Sequence, residues 1–188
     1  LTLDQKWRVA KDLLAALAHA HHHGVVHRNL TPGAILIGQD GTTRITDFDF
    51  AKPGVDRSLT IATDIVDLVE KAYVAPEAFR EPGAASSASD IFSAGVILYE
   101  LFTGERPFAG EPTTVWDRVG EFLNKPSALR PELNEAFDAW LQSLCAFDEH
   151  RRLTASAALA ALNALLQPVA QAVSQAAEAP KPEVFEVD

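Results

Sequence analysis

The stretch Asp90–Phe102, which reads DIFSAGVILYELF, constrains the fold more than any other part of the sequence. Thr103 and Gly104 follow it directly, and glycine commonly ends helices. A helix that is apolar on nearly all sides is stable only when other elements surround it. The sequence therefore predicts a domain built around this helix, and 188 residues with 47% hydrophobic positions can fill one sizeable core.

Hydrophobic periodicity predicts the elements that surround this helix. Residues 3–22 have apolar side chains at helical spacing and end before Gly24, which is typical of an amphipathic helix. Two short β-branched runs, 35–37 and 42–46, flank the turn Asp40-Gly41 and predict a small hairpin. Further predictions are a long irregular segment at 47–87 and helices at about 113–124, 132–146 and 154–167.

The chain is predicted to change character at Pro168, which should stop the last helix. Residues 1–167 then form one globular domain. Residues 168–188 are small, polar and acidic, and predict a flexible tail or linker.

Charge and composition exclude several functional classes. A net charge of −10 argues against nucleic-acid binding, which needs clustered Lys and Arg. No apolar run approaches the ~18 residues that span a bilayer, so no membrane partner is expected. The lone cysteine, Cys145, suits a reducing, cytoplasmic location. The absence of methionine indicates an internal piece of a longer polypeptide, and the alanine-rich composition hints at a bacterial source.

Five motifs follow one another along this framework. They are His27-Arg28-Asn29-Leu30, Asp47-Phe48-Asp49, Ala75-Pro76-Glu77, the start of the central helix at Asp90, and Arg152 before Leu153-Thr154-Ala155. In their order and spacing they resemble the large, C-terminal lobe of eukaryotic-type Ser/Thr protein kinases, up to about residue 167. The resemblance implies a mainly α fold with a small β-hairpin. The glycine-rich loop and strand lysine of a kinase small lobe do not occur in the sequence, so that lobe is expected to be absent from this chain.

The catalytic loop departs from the family pattern at the positions that take part in phosphoryl transfer. Active kinases have H-R-D-L-K-x-x-N, in which Asp accepts the hydroxyl proton, Lys steadies the phosphate and Asn holds magnesium. This chain has Asn29, Thr31 and Ala34 at those positions. An amide cannot take a proton, threonine cannot neutralise a phosphate, and alanine offers no metal ligand. No catalytic residue is therefore expected to be intact, and the sequence predicts a pseudokinase fragment rather than an enzyme.

Asp47 is the one metal-ligand candidate, because it corresponds to the aspartate of D-F-G. The glycine of that motif is Asp49 here, which should restrict the backbone and adds a second carboxylate. The pair either holds a cation or is simply solvated. No cofactor is expected under the pseudokinase interpretation, and Mg-ATP only under the alternative given below.

The residues that hold the family's fold are kept. By resemblance, Glu77 should pair with Arg152, and Asp90 should bind the backbone of the His27–Arg28 turn. His27 and Phe48 should belong to a stack of side chains that continues into the small lobe.

Two weaker patterns leave alternatives open. His19, His21, His22, His23 and His27 form either a metal cluster or the ordinary end of a kinase helix. Arg28 either pins a phosphorylated activation segment, through Ser58, Thr60 or Thr63, or bonds locally within the lobe.

Two functions remain after these exclusions. The first is a non-catalytic module that binds a protein partner or a neighbouring domain, or self-associates through the face that the missing small lobe leaves open. The alternative is a divergent Ser/Thr protein kinase or nucleotide sensor whose small lobe lies upstream of residue 1.

Overall fold

The first helix, α1, spans Leu3–His22 in the computed structural model, as the sequence predicts. The structure describes residues 1–48, 72–108, 122 and 124–178. A capping box starts α1: the Thr2 hydroxyl accepts the Gln5 N–H, and the Gln5 side chain accepts the Thr2 N–H. The apolar face of α1, with Leu13, Leu14 and Leu17 fully buried, packs against the rest of the core.

A two-stranded antiparallel hairpin follows α1. Its strands are β1, Ile35–Ile37, and β2, Thr43–Ile45, paired Ile35 to Ile45 and Ile37 to Thr43. The Asp12 carboxylate accepts the Thr43 N–H at 3.1 Å, which ties the hairpin to α1. Leu36 and Ile37 are 54% and 45% exposed, so β1 presents apolar side chains to solvent.

A short helix, α2 at Pro76–Arg80, precedes the central helix α3 at Ser87–Thr103. Helix α3 begins three residues before the predicted Asp90, because Ser86 and Ser89 form a capping box ahead of the apolar run. It ends at Gly104, which adopts a left-handed φ of 82°. Nearly every side chain of α3 is buried, as expected for a central helix.

The remaining described helices are α4 at Pro126–Leu129, α5 at Glu135–Leu144 and α6 at Ala155–Glu178. Helix α5 begins later than predicted, because the Asn134 side chain caps it by accepting the Phe137 N–H. The prediction that Pro168 ends the last helix is wrong, since α6 continues to Glu178. Alanine-rich sequence flanks the proline, and strong helix formers on both sides offset its missing N–H.

Some predictions fall outside the described residues. These are most of the helix predicted at 113–124, residues 49–71 of the predicted irregular segment, and residues 179–188 at the end of the predicted tail.

Helices α3 and α5 approach each other closely at Gly95. A Cβ at this position would lie 2.6 Å from Cys145 Sγ and 3.0 Å from Leu144 Cβ, so only glycine fits. Cys145 is itself buried, and this burial raises the pKa of its thiol to about 12. Cys145 therefore acts as a small core residue that stays protonated.

Described elements thus form a mainly helical fold with one small two-stranded sheet, which confirms the predicted class at that level. None of the described helices has the length and apolar content to cross a membrane.

Candidate active site

The Asp90 carboxylate holds the turn between α1 and the hairpin. The backbone N–H groups of His27 and Arg28 donate to its two oxygens, each at 2.8 Å. Asp90 lies in the first turn of α3 and is 1% exposed. Because a buried carboxylate needs donors to replace its lost hydration, these contacts fix the turn against the central helix, as the sequence predicts.

The His27 ring connects this turn to the end of β2. Its Nδ1 accepts the Asn29 N–H at 3.3 Å, so Nε2 carries the proton and donates to the Thr46 carbonyl at 2.7 Å. The ring is fully buried and lies 4.6 Å from the Phe48 ring, centroid to centroid. His27 therefore joins the catalytic loop to the segment that contains Asp47.

Arg28 and Asp47 are the non-glycine residues with positive φ in the described part of the chain, at 67° and 62°. This left-handed conformation costs free energy for such residues and persists only where neighbouring contacts impose it. Asp90 imposes it at Arg28, and the backbone bond of Thr46 to Ala34, at 2.9 Å, anchors the chain just before Asp47. Strain of this kind is concentrated at functional sites, and here it lies on both sides of the candidate site.

The replaced catalytic-loop positions lie around this strained backbone. Asn29 and Thr31 are partly exposed, and Thr31 precedes a short 3-10 turn at Pro32–Ala34. Ala34 is 3% exposed, and its carbonyl accepts the Thr46 N–H. At position 34 the backbone, rather than the side chain, supports the site.

Asp47 fits a magnesium ion that is carried by nucleotide phosphates. Its carboxylate is exposed and accepts a hydrogen bond from the Thr46 hydroxyl at 3.2 Å. Magnesium is commonly bound by one or two carboxylates together with substrate phosphates, so one carboxylate suffices for one ion. Ala34 cannot supply a ligand for a second ion, and Asp49 lies outside the described residues.

Glu77 and Arg152 form the predicted buried ion pair. Both terminal nitrogens of Arg152 donate hydrogen bonds to the Glu77 carboxylate, at 2.6 and 2.8 Å. The Arg152 side chain is fully buried. Arg152 also donates to the carbonyls of Ala88 and Ala146, at 3.0 and 2.7 Å. Burial opposes ionisation of Glu77, but its bonds to Arg152 outweigh this effect, so the pKa of Glu77 lies below its ordinary value. The pair ties α2 to α3 and to the loop before α6.

His21 is a site residue that the sequence reasoning missed. Its Nε2 lies 2.8 Å from the Asp90 oxygen that also accepts the His27 N–H. The sequence offered only the histidine cluster as a signal, and that cluster favoured a metal. In the described residues no three His, Cys, Asp or Glu side chains are arranged to hold one. His19 and His23 instead contact each other, with ring centroids 4.4 Å apart.

The phosphorylation alternative involved Ser58, Thr60 and Thr63, which lie outside the described residues. It stays a prediction.

The order of elements and the Asp90-held turn define a protein of the kinase class, and sequence comparison agrees. The protein kinase domain family matches residues 1–162, and the chain belongs to this family. A probable serine/threonine-protein kinase PknB of Lactococcus lactis is 33% identical over 156 residues, which cover 82% of this chain. The DNA damage-responsive serine/threonine-protein kinase RqkA of Deinococcus radiodurans is 36% identical over 152 residues, or 80% of this chain. The chain spans only 24% and 22% of the length of these two relatives.

The prediction that the chain is a pseudokinase fragment rather than an enzyme is wrong. The family match and relatives that are named as Ser/Thr protein kinases point to an enzyme. That prediction rested on three side chains of the catalytic loop, whereas the family match extends over residues 1–162. The described frame is retained, including Asp90, the His27 bridge and the strained Asp47.

Proposed function

We propose that the chain forms the large lobe of a divergent Ser/Thr protein kinase that uses Mg-ATP. The observation that carries this proposal is the strained backbone at Arg28 and Asp47, held by the buried Asp90 and His27. A frame of this kind costs free energy to maintain, and it leaves the Asp47 carboxylate exposed just after β2.

Phosphoryl transfer requires few protein side chains that take part directly in making or breaking bonds. Its transition state is loose, so catalysis rests mainly on positioning and electrostatic stabilisation. Bound magnesium would neutralise charge on the phosphates, and Asp47 would hold it there. The Asn29 amide can orient a substrate hydroxyl by a hydrogen bond, although it cannot accept the proton. A positioned base contributes about 10²–10⁴-fold, so the turnover of this kinase should be lower by a factor of that order.

The exposed strand β1 supports a small lobe as the neighbour of this chain. Leu36 and Ile37 expose 54% and 45% of their surface beside the candidate site. Successive side chains of a strand point to opposite faces, so Leu36 exposes its apolar surface on one face of the hairpin and Ile37 on the other. We assign the exposed face at Leu36 to the small lobe of the same protein. Hydrogen exchange and light scattering on the whole protein test this: slow exchange of residues 35–37 in a monomer supports it, and protection only in a dimer favours self-association instead.

The direct test measures transfer of labelled phosphate from Mg-ATP by the whole protein. We expect incorporation by the parent and its loss in Asp47→Asn, which keeps the shape of the side chain but removes the charge. Asp40→Asn is the matched control, because Asp40 is also an exposed carboxylate but lies in the hairpin turn. Thermal shift with Mg-ATP is measured alongside. Nucleotide binding without transfer would favour the nucleotide sensor, and neither binding nor transfer would refute the proposal.

A further inference from the structure

A cavity of about 450 Å³ opens between the last turn of α1, the first turn of α3 and the start of α6, and is called the α1–α3–α6 cavity below. Small-molecule sites usually have volumes of about 300–1,000 Å³. The cavity beside Asn29 and Thr31 of the catalytic loop has a volume of only about 10 Å³, room for about one water, and shares no lining residue with the larger one. We infer that the α1–α3–α6 cavity is a second binding site, for a small organic amine with an apolar body.

One part of the lining is apolar and determines the body of the ligand. It consists of the buried side chains of Ile91 and Ala155 and the half-buried side chains of Ala18 and Leu153. A ligand that covers these side chains removes apolar surface from water on both partners, which favours binding. An apolar body therefore fits this part of the cavity.

Arg152 also lines the cavity, but it offers a ligand no free donor. Its Nε donates to the Ala146 carbonyl at 2.7 Å. Each terminal nitrogen donates once to Glu77, at 2.6 and 2.8 Å, and once to a backbone carbonyl, of Ala88 at 3.0 Å or of Phe147 at 3.2 Å. A guanidinium has five N–H donors, so these contacts use all of them, and Glu77 compensates the charge. An anionic ligand would gain little from Arg152.

Side chains cap both helix N-termini at the cavity. At the start of α3 the Ser86 hydroxyl accepts the Ala88 N–H at 3.2 Å, and at the start of α6 the Thr154 hydroxyl accepts the Ala157 N–H at 3.2 Å. Caps of this kind satisfy N–H groups that could otherwise bind an anion. The helix ends therefore do not make this cavity an anion site.

Glu149 supplies the charge that selects the head group of the ligand. It is the one Asp or Glu among the residues that line the cavity, and its side chain is partly exposed. The exposed His150 ring lies 4.0 Å from its carboxylate, a contact that water screens. An ammonium group near Glu149 is attracted, while a carboxylate group is repelled. The net charge of −10 adds to this preference for a cation at longer range.

Three probes with one body and different head groups test the inference. 2-Phenylethylamine is cationic, 2-phenylethanol is neutral and phenylacetate is anionic, and NMR of the methyl groups of Ile91 and Leu153 follows each titration of the whole protein. We expect the amine to bind about fivefold more tightly than the alcohol, and the carboxylate to bind more weakly than both. Glu149→Gln should lower the affinity for the amine to that for the alcohol and leave the alcohol unaffected.

A matched pair of variants tests the location of the site. Ser156 and Ala157 are both exposed in the first turn of α6, but Ser156 lines the cavity and Ala157 does not. Ser156→Trp should weaken binding of the amine by about tenfold or more, because the larger side chain obstructs the cavity. Ala157→Trp should bind the amine as the parent does.

Four outcomes would overturn the inference: no saturable binding of any probe, tightest binding of phenylacetate, a preference for the amine that persists in Glu149→Gln, or undiminished binding by Ser156→Trp. The site shares no residue with the candidate active site and does not depend on the proposed function. None of these measurements uses nucleotide, so their failure is distinguishable from failure of the proposed kinase activity.

Discussion

The buried frame around Asp90 and the three replaced positions of the catalytic loop differ in how closely they follow the kinase pattern. In the frame, Asp90, His27, Glu77 and Arg152 make hydrogen bonds of 2.6–2.8 Å to their partners. In the loop, Asn29, Thr31 and Ala34 replace the Asp, Lys and Asn of the family pattern. The residues that fix the backbone conformation are therefore different from those that take part in phosphoryl transfer in the family pattern.

This separation has a thermodynamic basis. A buried ion pair that loses one partner leaves the other charge without compensation, so either change is costly. A partly exposed side chain in a loop has water as an alternative partner, so its replacement costs little. The frame is therefore sensitive to substitution, while the loop tolerates it.

The largest effect is expected at Arg152. Arg152→Ala should lower the free energy of unfolding by about 3–5 kcal/mol, because it removes a fully buried guanidinium and leaves the part-buried Glu77 carboxylate without its charged partner. It also removes the hydrogen bonds that Arg152 donates to the carbonyls of Ala88 and Ala146. Urea denaturation of the parent and the variant measures the loss.

Arg44→Ala is the control for this variant. Arg44 lies 3.8 Å from Asp40 on the exposed hairpin, where water screens the pair, and its removal should leave the unfolding midpoint close to that of the parent. Equal midpoints for Arg152→Ala and the parent would contradict the description of the frame.

A second test compares one glycine from each region. Gly95→Ala should cost about 1–3 kcal/mol, because α3 and α5 must move apart to admit a methyl group. The new Cβ would lie 2.6 Å from Cys145 Sγ. Gly33→Ala places its Cβ 3.6 Å from the Thr31 hydroxyl, which is ordinary contact, and should change the melting temperature little. A larger loss of stability in Gly33→Ala than in Gly95→Ala would contradict the division between a sensitive frame and a tolerant loop.

Acid should act on the frame through Glu77. Its pKa in the folded protein lies below the ordinary value of 4.5, so its pair with Arg152 contributes stability at neutral pH. This contribution is lost as the pH falls below about 4.5 and Glu77 becomes protonated. Unfolding measured across this range should show a steeper fall for the parent than for Glu77→Gln. Parallel curves would show that the ionised pair adds no stability.

Local patterns in the sequence predicted much of this frame. The bounds of α1 followed from apolar spacing and the glycine after it, and the central helix followed from Asp90–Phe102. The start of α3 was missed because its first turn is polar, so the capping serines lay outside the apolar pattern. Pro168 misled the prediction because a proline is a strong local signal that flanking alanines outweighed.

The contact between His21 and Asp90 could not be predicted in this way. The two residues are 69 positions apart, and only the packing of α1 on α3 brings them together. The left-handed backbone at Arg28 and Asp47 was hidden for a related reason, since nothing in either residue type requires it. Tertiary contacts impose both features, while the motif residues themselves carried the family resemblance.

The smallest effect on stability, and the sharpest test of the loop, is expected from Asn29→Asp. The two side chains have nearly the same shape, and Asn29 is partly exposed, so the free energy of unfolding should change by no more than about 0.5 kcal/mol. The rate of phosphate transfer by the whole protein should nevertheless rise about tenfold, because a carboxylate can accept the hydroxyl proton. The gain should stay below the full contribution of a base, since Thr31 and Ala34 are unchanged and catalytic groups act together. Asn29→Ala is the control, and it should transfer phosphate no faster than the parent while remaining folded. If Asn29→Asp destabilises the protein as strongly as Arg152→Ala, position 29 belongs to the frame, and the division between the two regions must be redrawn.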